Sequence, residues 1–416
     1  MEWLTSLFVV AVIAETITRL WLSSRQIATV RAHRDAVPEL FRSQVELADQ
    51  QKAADYTVAR ARFGRIDTIA EAVIRLAFTL GGGIAAIDAL WSKAGLSQPW
   101  HGALVIGTVL LVLTIINLPF SLWRTFKLEA RFGFNRVSPA LFMADLVKGL
   151  ALGVLIGGPV VIGALFLMER GGPWWWLYAW AAWTLFSVAL MWAFPRFIAP
   201  LFNRFTPLAD EALKQRVETL LARTGFASKG VFVMDGSRRS SHGNAYFTGV
   251  GRNKRIVFFD TLLERLGGAE VEAVLAHELG HFRLQHVRQR IVLSLFMSLI
   301  GLALLAWIAK QPGIFTALGV PAPSSHALLL LAMFVAPAFT YFITPLGAWW
   351  SRRHEFQADD FAAKNASASA LADALVKLYR ANASTLTPDP IHSAFYDSHP
   401  PALVRIARLQ SAAAAS

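Results

Sequence analysis

Residues 277–309 read HELGHFRLQHVRQRIVLSLFMSLIGLALLAWIA, and two signals meet in this one stretch. The first five residues put His277 and His281 four apart, on one face of a helix, where both imidazoles can bind a single zinc ion. Glu278 is turned roughly 100° from His277 and can reach a water on that metal. The other reading of the pentad is a polar turn on a membrane-proximal helix. From Ile291 to Ala309 there is no Asp, Glu, Lys or Arg, and an apolar run of about 20 residues is long enough to cross a bilayer. The span starts only ~15 Å of helical rise beyond His281. Any chemistry at the pentad therefore sits at a membrane boundary or in a cavity within the membrane.

Working outward, segments 102–123 and 174–194 are equally free of charge. Segments 149–168 and 327–350 qualify nearly as well, the second interrupted by Pro337 and Pro345. Segment 3–22 carries Glu15 and Arg19, and 76–91 is short and holds Asp88. The expectation is seven spans. Glu15, Arg19 and Asp88 are costly in lipid unless they are paired or face water.

The loops set the orientation. Nine Lys or Arg lie in 23–75, Lys93 alone in the next loop, then Arg124, Lys127, Arg131 and Arg136. Arg170 alone follows the fourth span, a basic region covers 196–290, Lys310 alone follows the sixth span, and Arg352-Arg353 follow the seventh. Basic loops stay on the cytoplasmic side. The chain is therefore expected N-out and C-in, with 23–75, 124–148, 196–290 and 351–416 in the cytoplasm.

Composition agrees with a membrane protein. Hydrophobic residues make up 55% of 416, charged residues 16%, and there are 14 Trp. A soluble fold of this size needs more charge on its surface. The net charge of +12 is scattered between apolar runs and forms no nucleic-acid patch. There is no Cys, so any metal must sit on His and carboxylate ligands.

The chain divides into 1–198 (spans 1–5), a catalytic insert 199–286, spans 6–7 in 287–350, and a C-terminal segment 351–416 that completes the site. Within the insert, Val231–Val233, Ile256–Phe259 and Asn244–Val250 read as strands. Thr261 and Glu264 read as a capping box opening a short helix. A second helix is expected from Ala269, acidic in its first turn, through His281.

A catalytic zinc needs a third protein ligand and one open position. The candidate is Glu355, in Ser351-Arg352-Arg353-His354-Glu355-Phe356-Gln357-Ala358-Asp359, just past the seventh span. Asp359 follows on the same helical face and suits the spare N–H of a zinc-bound imidazole. Against this, Glu355 and Asp359 pairing with Arg352 and Arg353 on a solvated face explains the same residues.

HELGH followed by Glu355-Phe356-Gln357-Ala358-Asp359 after a span resembles the type I CAAX prenyl endopeptidase family. Leu118-Pro119-Phe120, Glu129 with Arg131-Phe132-Gly133-Phe134-Asn135, and Asp145 are similar to its segment between spans three and four. Ser240–Gly249 before Asp260-Thr261-Leu262-Leu263, and Ser398-His399-Pro400-Pro401 with Arg405, are similar to further motifs. The likeness runs from about residue 100 to 406.

The resemblance implies a mostly α integral-membrane protein with a zincin-like α+β domain inserted between spans five and six. One Zn2+ per chain would sit on His277, His281 and Glu355. Glu278 would be the general base, and His399 would stabilise the oxyanion, with Arg405 positioning it or the substrate backbone. It also implies a water-filled chamber enclosed by the spans. Asn244, Ala245, Tyr246 and Phe247 suit an edge strand pairing with an extended peptide; an ordinary internal strand fits the same pattern.

The expected partners are the bilayer and a peptide or protein substrate, with or without a prenylated C-terminal cysteine, and no nucleic acid. The Ala- and Arg-rich composition reads as bacterial, with the site on the cytoplasmic side of the inner membrane. Two alternatives stand beside the CAAX reading. One is a quality-control protease for unlipidated or misfolded membrane proteins; the other is a transporter or receptor with an accidental HExxH.

Overall fold

The computed structural model describes residues 2–226, 228, 230–248 and 255–414. Among them, six helical segments are long and apolar enough to cross a membrane, and a bent helix pair makes a seventh. The protein is a mostly helical integral membrane protein carrying an inserted α+β domain.

The membrane part opens with α1 (Glu2–Ala32), α2 (Leu47–Phe78) and α3 (Gly83–Ser92). The second span is not the simple segment 76–91. It is the pair α2 and α3, bent by 47° at Thr79-Leu80-Gly81-Gly82, where Gly82 takes φ +76°. Nor is 23–75 a loop. Most of it is the ends of α1 and α2, because Ala, Gln and Arg between 47 and 65 are good helix formers.

Next come α4 (Trp100–Trp123), extended by a π-helical turn to Glu129, α5 (Pro139–Leu152), α6 (Gly158–Arg170), α7 (Trp175–Ala193) and the short α8 (Ala199–Phe202). Phe8 and Val12 of α1, Ile84 of α3, Val105 and Val109 of α4 and Leu328 and Leu331 of a later helix form the buried membrane core.

Glu15 is 5% exposed and held between Arg75 of α2 and Arg19, the latter at 3.4 Å. Arg19 also reaches Glu71 at 2.6 Å. The intramembrane acid is thus neutralised by two arginines, which satisfies the requirement for a paired charge.

The inserted domain holds β1 (Phe205–Pro207), α9 (Glu211–Thr224), β2 (Val231–Met234), β3 (Ala245–Thr248), β4 (Arg255–Phe259), α10 (Asp260–Leu263) and α11 (Gly268–Arg283). The strand order is β1-β2-β4-β3, with β2 and β4 parallel and both outer pairs antiparallel. β3 therefore lies at an edge. The expected strand 244–250 ends in part outside the described residues.

The predicted capping box at Thr261 and Glu264 does not form. Asp260 Oδ1 already accepts from Thr261 N, and the Thr261 hydroxyl donates to His242 O at 2.9 Å. An acid one residue earlier wins the competition for the free amides.

Behind α11 follow α12 (His286–Ile308), α13 (Pro312–Ala317), α14 (Ser325–Thr340), α15 (Thr344–Asn365), α16 (Ala368–Ala381), α17 (Pro390–Tyr396) and α18 (Ala402–Ala414). The soluble core joins α9 (Val217, Leu220), β4 (Ile256, Phe258), α11 (Leu275, Leu279), α16 (Leu371) and α18 (Ile406, Leu409). The C-terminal helices thus complete the inserted domain's core across more than a hundred residues of sequence.

Candidate metal centre

α11 carries the pentad because its buried run Val271 and Ala273–Ala276 faces the domain core and leaves His277 and His281 on the side of α15. Its start is fixed by Glu270, whose carboxylate accepts from Gly267 N at 2.7 Å. Gly280 sets how close the two helices come. A Cβ there would lie 3.0 Å from Ala358 Cα and 3.1 Å from Phe361 Cβ, so a larger residue would force the two helices to give way by a few tenths of an ångström. Glu355 and Asp359 are thereby brought against the two histidines.

Ligand atoms of His277, His281 and Glu355 all lie within 4.8 Å of one another. His277 Nε2 and His281 Nε2 are 3.3 Å apart. Glu355 Oε2 is 3.4 Å from the first and Oε1 is 3.3 Å from the second. Two ligands at about 2.0–2.1 Å from a tetrahedral ion are themselves about 3.3–3.4 Å apart. Two imidazole nitrogens facing each other make sense around a shared cation. Glu355 Oε2 is buried without a well-directed hydrogen bond, although His399 Nδ1 approaches it to 2.7 Å. The residues fit a divalent metal.

The groups around the ligands complete the centre. His277 Nδ1 lies 2.8 Å from Asp359 Oδ1, the expected partner for its spare N–H, which leaves Nε2 free to coordinate. Burial and the Arg405 charge oppose protonation of His277, but hydrogen bonds to Asp359 and Glu355 outweigh them and hold its pKa at about 9. His281 Nδ1 meets His286 Nδ1 at 3.1 Å. His286 Nε2 meets Gln357 Oε1 at 2.9 Å, and the His286 ring stacks on His354 at 3.9 Å.

Arg405 lies behind the ligands, on the side of Asp359. The residue is 4% exposed; its guanidinium pairs with Asp359 and lies 3.6 Å from Glu355 Oε2. His399 does face the open side, with its side chain 62% exposed. Arg352, an alternative partner for Glu355, instead donates to Asp397 O at 2.8 Å and to Ser393 O and Ala394 O at 3.3 Å. It anchors the chain just before His399.

A cavity of about 730 Å³ opens in front of the centre, lined by Glu278, His281, Glu355 and His399 and by Tyr246 and Phe247 of β3. Trp183, Phe186 and Leu190 of the spanning α7 form its apolar wall. β3 is steadied from behind. Asn382 Oδ1 accepts from Gly243 N at 3.3 Å and contacts His242 Nδ1 at 3.2 Å, and the His242 ring stacks on Phe134 at 4.4 Å. Asn244 lies just outside the strand, its carbonyl accepting from Phe259 N at 3.0 Å.

The supporting roles of His286, Gln357 and Asn382 were not singled out from the sequence. His286 lies five residues past His281, beyond a helix break at Gln285 (φ 61°), and no helical spacing links the two.

Two family models match the chain: "CAAX prenyl protease N-terminal, five membrane helices" over residues 26–204 and "Peptidase family M48" over residues 207–413. The chain is 39% identical over 294 residues to the CAAX prenyl protease 1 homolog of Arabidopsis thaliana, covering 70% of this chain and 69% of that one. It is 31% identical over 402 residues to CAAX prenyl protease 1 of Saccharomyces cerevisiae, covering 90% and 88%. The crystal structure of S. mikatae Ste24p superposes with a TM-score of 0.90 at 29% identity, covering 98% of both chains. Matched models, full-length relatives and a shared fold agree: the chain belongs to the CAAX prenyl protease 1 family of M48 metallopeptidases and is a multi-pass membrane metalloendopeptidase.

Proposed function

We propose that the protein cleaves peptide bonds near the C-terminus of membrane-attached substrates carrying a prenylated cysteine, using one zinc ion on His277, His281 and Glu355. The observation that carries this reading is the joint lining of one cavity by Glu278, the ligands His281 and Glu355, an edge strand and the apolar wall of α7. A peptide laid along β3 pairs through its main chain and needs no fixed sequence. The lipid of a prenylated substrate finds Trp183, Phe186 and Leu190 on the membrane side.

Bound zinc supplies Lewis acidity that brings the ionisation of water towards neutral pH. The Glu278 carboxylate takes a proton from the attacking water and passes it to the leaving amine. His399 faces the carbonyl oxygen as it becomes negative, and its imidazole donates a hydrogen bond there. Asp359 holds the Nδ1 proton of His277 and so fixes the tautomer that coordinates.

The basic loops support a cytoplasmic catalytic side. The Ala- and Arg-rich composition supports a bacterial inner membrane as the setting, although the relatives named above are eukaryotic.

The test compares wild type with Glu278→Gln in detergent on a farnesylated C-terminal peptide and its unlipidated twin. The expected result is chelator-sensitive cleavage by wild type alone, faster on the farnesylated peptide. Cleavage by Glu278→Gln at the wild-type rate would remove the mechanism. Equal rates on both peptides would favour the quality-control reading.

A further inference from the structure

We propose that Asp88, His101 and His326 form a second divalent transition-metal site, at the end of the membrane bundle away from the catalytic centre. Among the described residues, only this group and the catalytic one bring three His or carboxylate ligands within 4.8 Å of one another.

The three residues come from separate elements. Asp88 interrupts the apolar run of α3, His101 stands in the first turn of α4, and His326 in the first turn of α14. Asp88 Oδ1 lies 2.6 Å from His101 Nε2 and 3.0 Å from His326 Nε2. The two rings are tilted, with centroids 5.3 Å apart, and both turn Nε2 to the same oxygen.

Charge is what distinguishes this cluster from ordinary capping hydrogen bonds. Glu15, another acid within a spanning helix, is held by two arginines. Asp88 has no Lys or Arg within ion-pair distance among the described residues. Glu169 lies nearby, bound at 2.7 Å by the hydroxyl of Ser325, the neighbour of His326, and it too has no basic ion-pair partner among the described residues. One carboxylate and two imidazoles thus converge, with a second carboxylate held by the neighbouring Ser325 and no Lys or Arg ion-paired to either acid among the described residues.

His326 is 2% exposed and its Nδ1 is buried without a partner. Gly102 keeps α4 close against it, since a Cβ there would lie 3.0 Å from His326 Cβ. The Asp88 side chain is 41% exposed and gives an ion a way in. Two imidazoles with one carboxylate suit Zn2+ and the divalent ions near it in hardness far better than Ca2+ or Mg2+.

The position points to a clasp rather than to chemistry. α14 runs on through a short break into α15, and Glu355 lies about 40 Å along this path from His326 at 1.5 Å per residue. An ion at Asp88 fastens the α3–α4 hairpin to the far end of the helix pair that delivers the third catalytic ligand.

The experiment counts metal. Wild type, His277→Ala/His281→Ala and His101→Ala are stripped with chelator in detergent, checked for monodispersity, and titrated with Zn2+ and Co2+. The double variant is expected to keep one equivalent, lost on adding His101→Ala or Asp88→Asn and kept with Asp88→Glu. His101→Ala alone is expected to bind one equivalent fewer than wild type and still cleave peptide, with a smaller rise in melting temperature on metal addition. A monodisperse double variant that binds no metal, or one whose equivalent survives both His101→Ala and Asp88→Asn, would overturn the site and leave a hydrogen-bonded His–Asp cluster.

Discussion

Arg405 grips Asp359 through two parallel hydrogen bonds, Nε to Oδ2 and Nη2 to Oδ1, each 2.7 Å long. Both residues are almost fully buried, and Asp359 in turn holds Nδ1 of His277. An arginine near the C-terminus thus aims an imidazole on α11 through one carboxylate. Lysine cannot copy the two-pronged geometry. Arg405→Lys is expected to weaken metal binding by about 10- to 100-fold, the usual cost of losing such support, and Asp359→Asn to do the same. Competition titration with a chromogenic chelator measures it. Unchanged affinity in both variants would show that the pair serves folding alone.

The proton on His277 competes with the metal. The group's value is raised from 6.5 to about 9 in the metal-free fold. Its contribution to the stability of that form is fully present below pH 6.5 and is lost as pH rises through about 9. Metal binding requires loss of this proton, so affinity is expected to climb with pH up to about 9 and then level off. Calorimetric titration of Glu278→Gln with Zn2+ in buffers of different ionisation heat reads both the affinity and the proton released. A flat profile between pH 6.5 and 9 would contradict the assignment.

Gly280 is where backbone meets backbone. Gly280→Val places atoms against Ala358 Cα and pushes α11 from α15, at a cost of about 1–3 kcal/mol for overpacking. The separation also spreads the ligand triangle. The expected outcome is a lower melting temperature together with lost metal, whereas Gly301→Val, with open space around it on α12, changes neither. Differential scanning fluorimetry with metal analysis separates the two.

At Glu15, too, one substitution strands a partner. Glu15→Gln leaves Arg75, 9% exposed, buried without its counter-charge, and breaking a buried pair costs about 3–5 kcal/mol. Glu71→Gln touches only an exposed partner of Arg19 and is expected to cost less than about 1 kcal/mol. Thermal unfolding in detergent ranks the two; an equal effect would argue against the buried network.

Much of this was legible in the sequence because it was local. HELGH needs only helical spacing, the spans need only apolar length, and β2 and β4 announce themselves by Val, Ile and Phe. For β3 the sequence left an edge strand and an internal strand open, and the observed order places it at the edge. What escaped was non-local or concealed by composition. β1 is three residues ending in Pro207, too short for any period to register. α2 carries too much Arg and Asp to read as a membrane helix, yet it delivers Arg75 to Glu15. Arg405 was identified by motif, but its pairing with Asp359 was not, since nothing in its flanking residues says that α18 folds back over Asp359.

The clasp of Glu15 by Arg19 and Arg75 bears on how the chain is made. When α1 leaves the ribosome, Arg75 has yet to be synthesised, and Glu15 has only its own helical neighbour for company. α1 becomes comfortable in lipid once α2 arrives to close the second side of its carboxylate. Until then the Glu15–Arg19 pair alone offsets the cost of the buried acid, so α1 reaches its full stability in lipid only when α2 packs beside it.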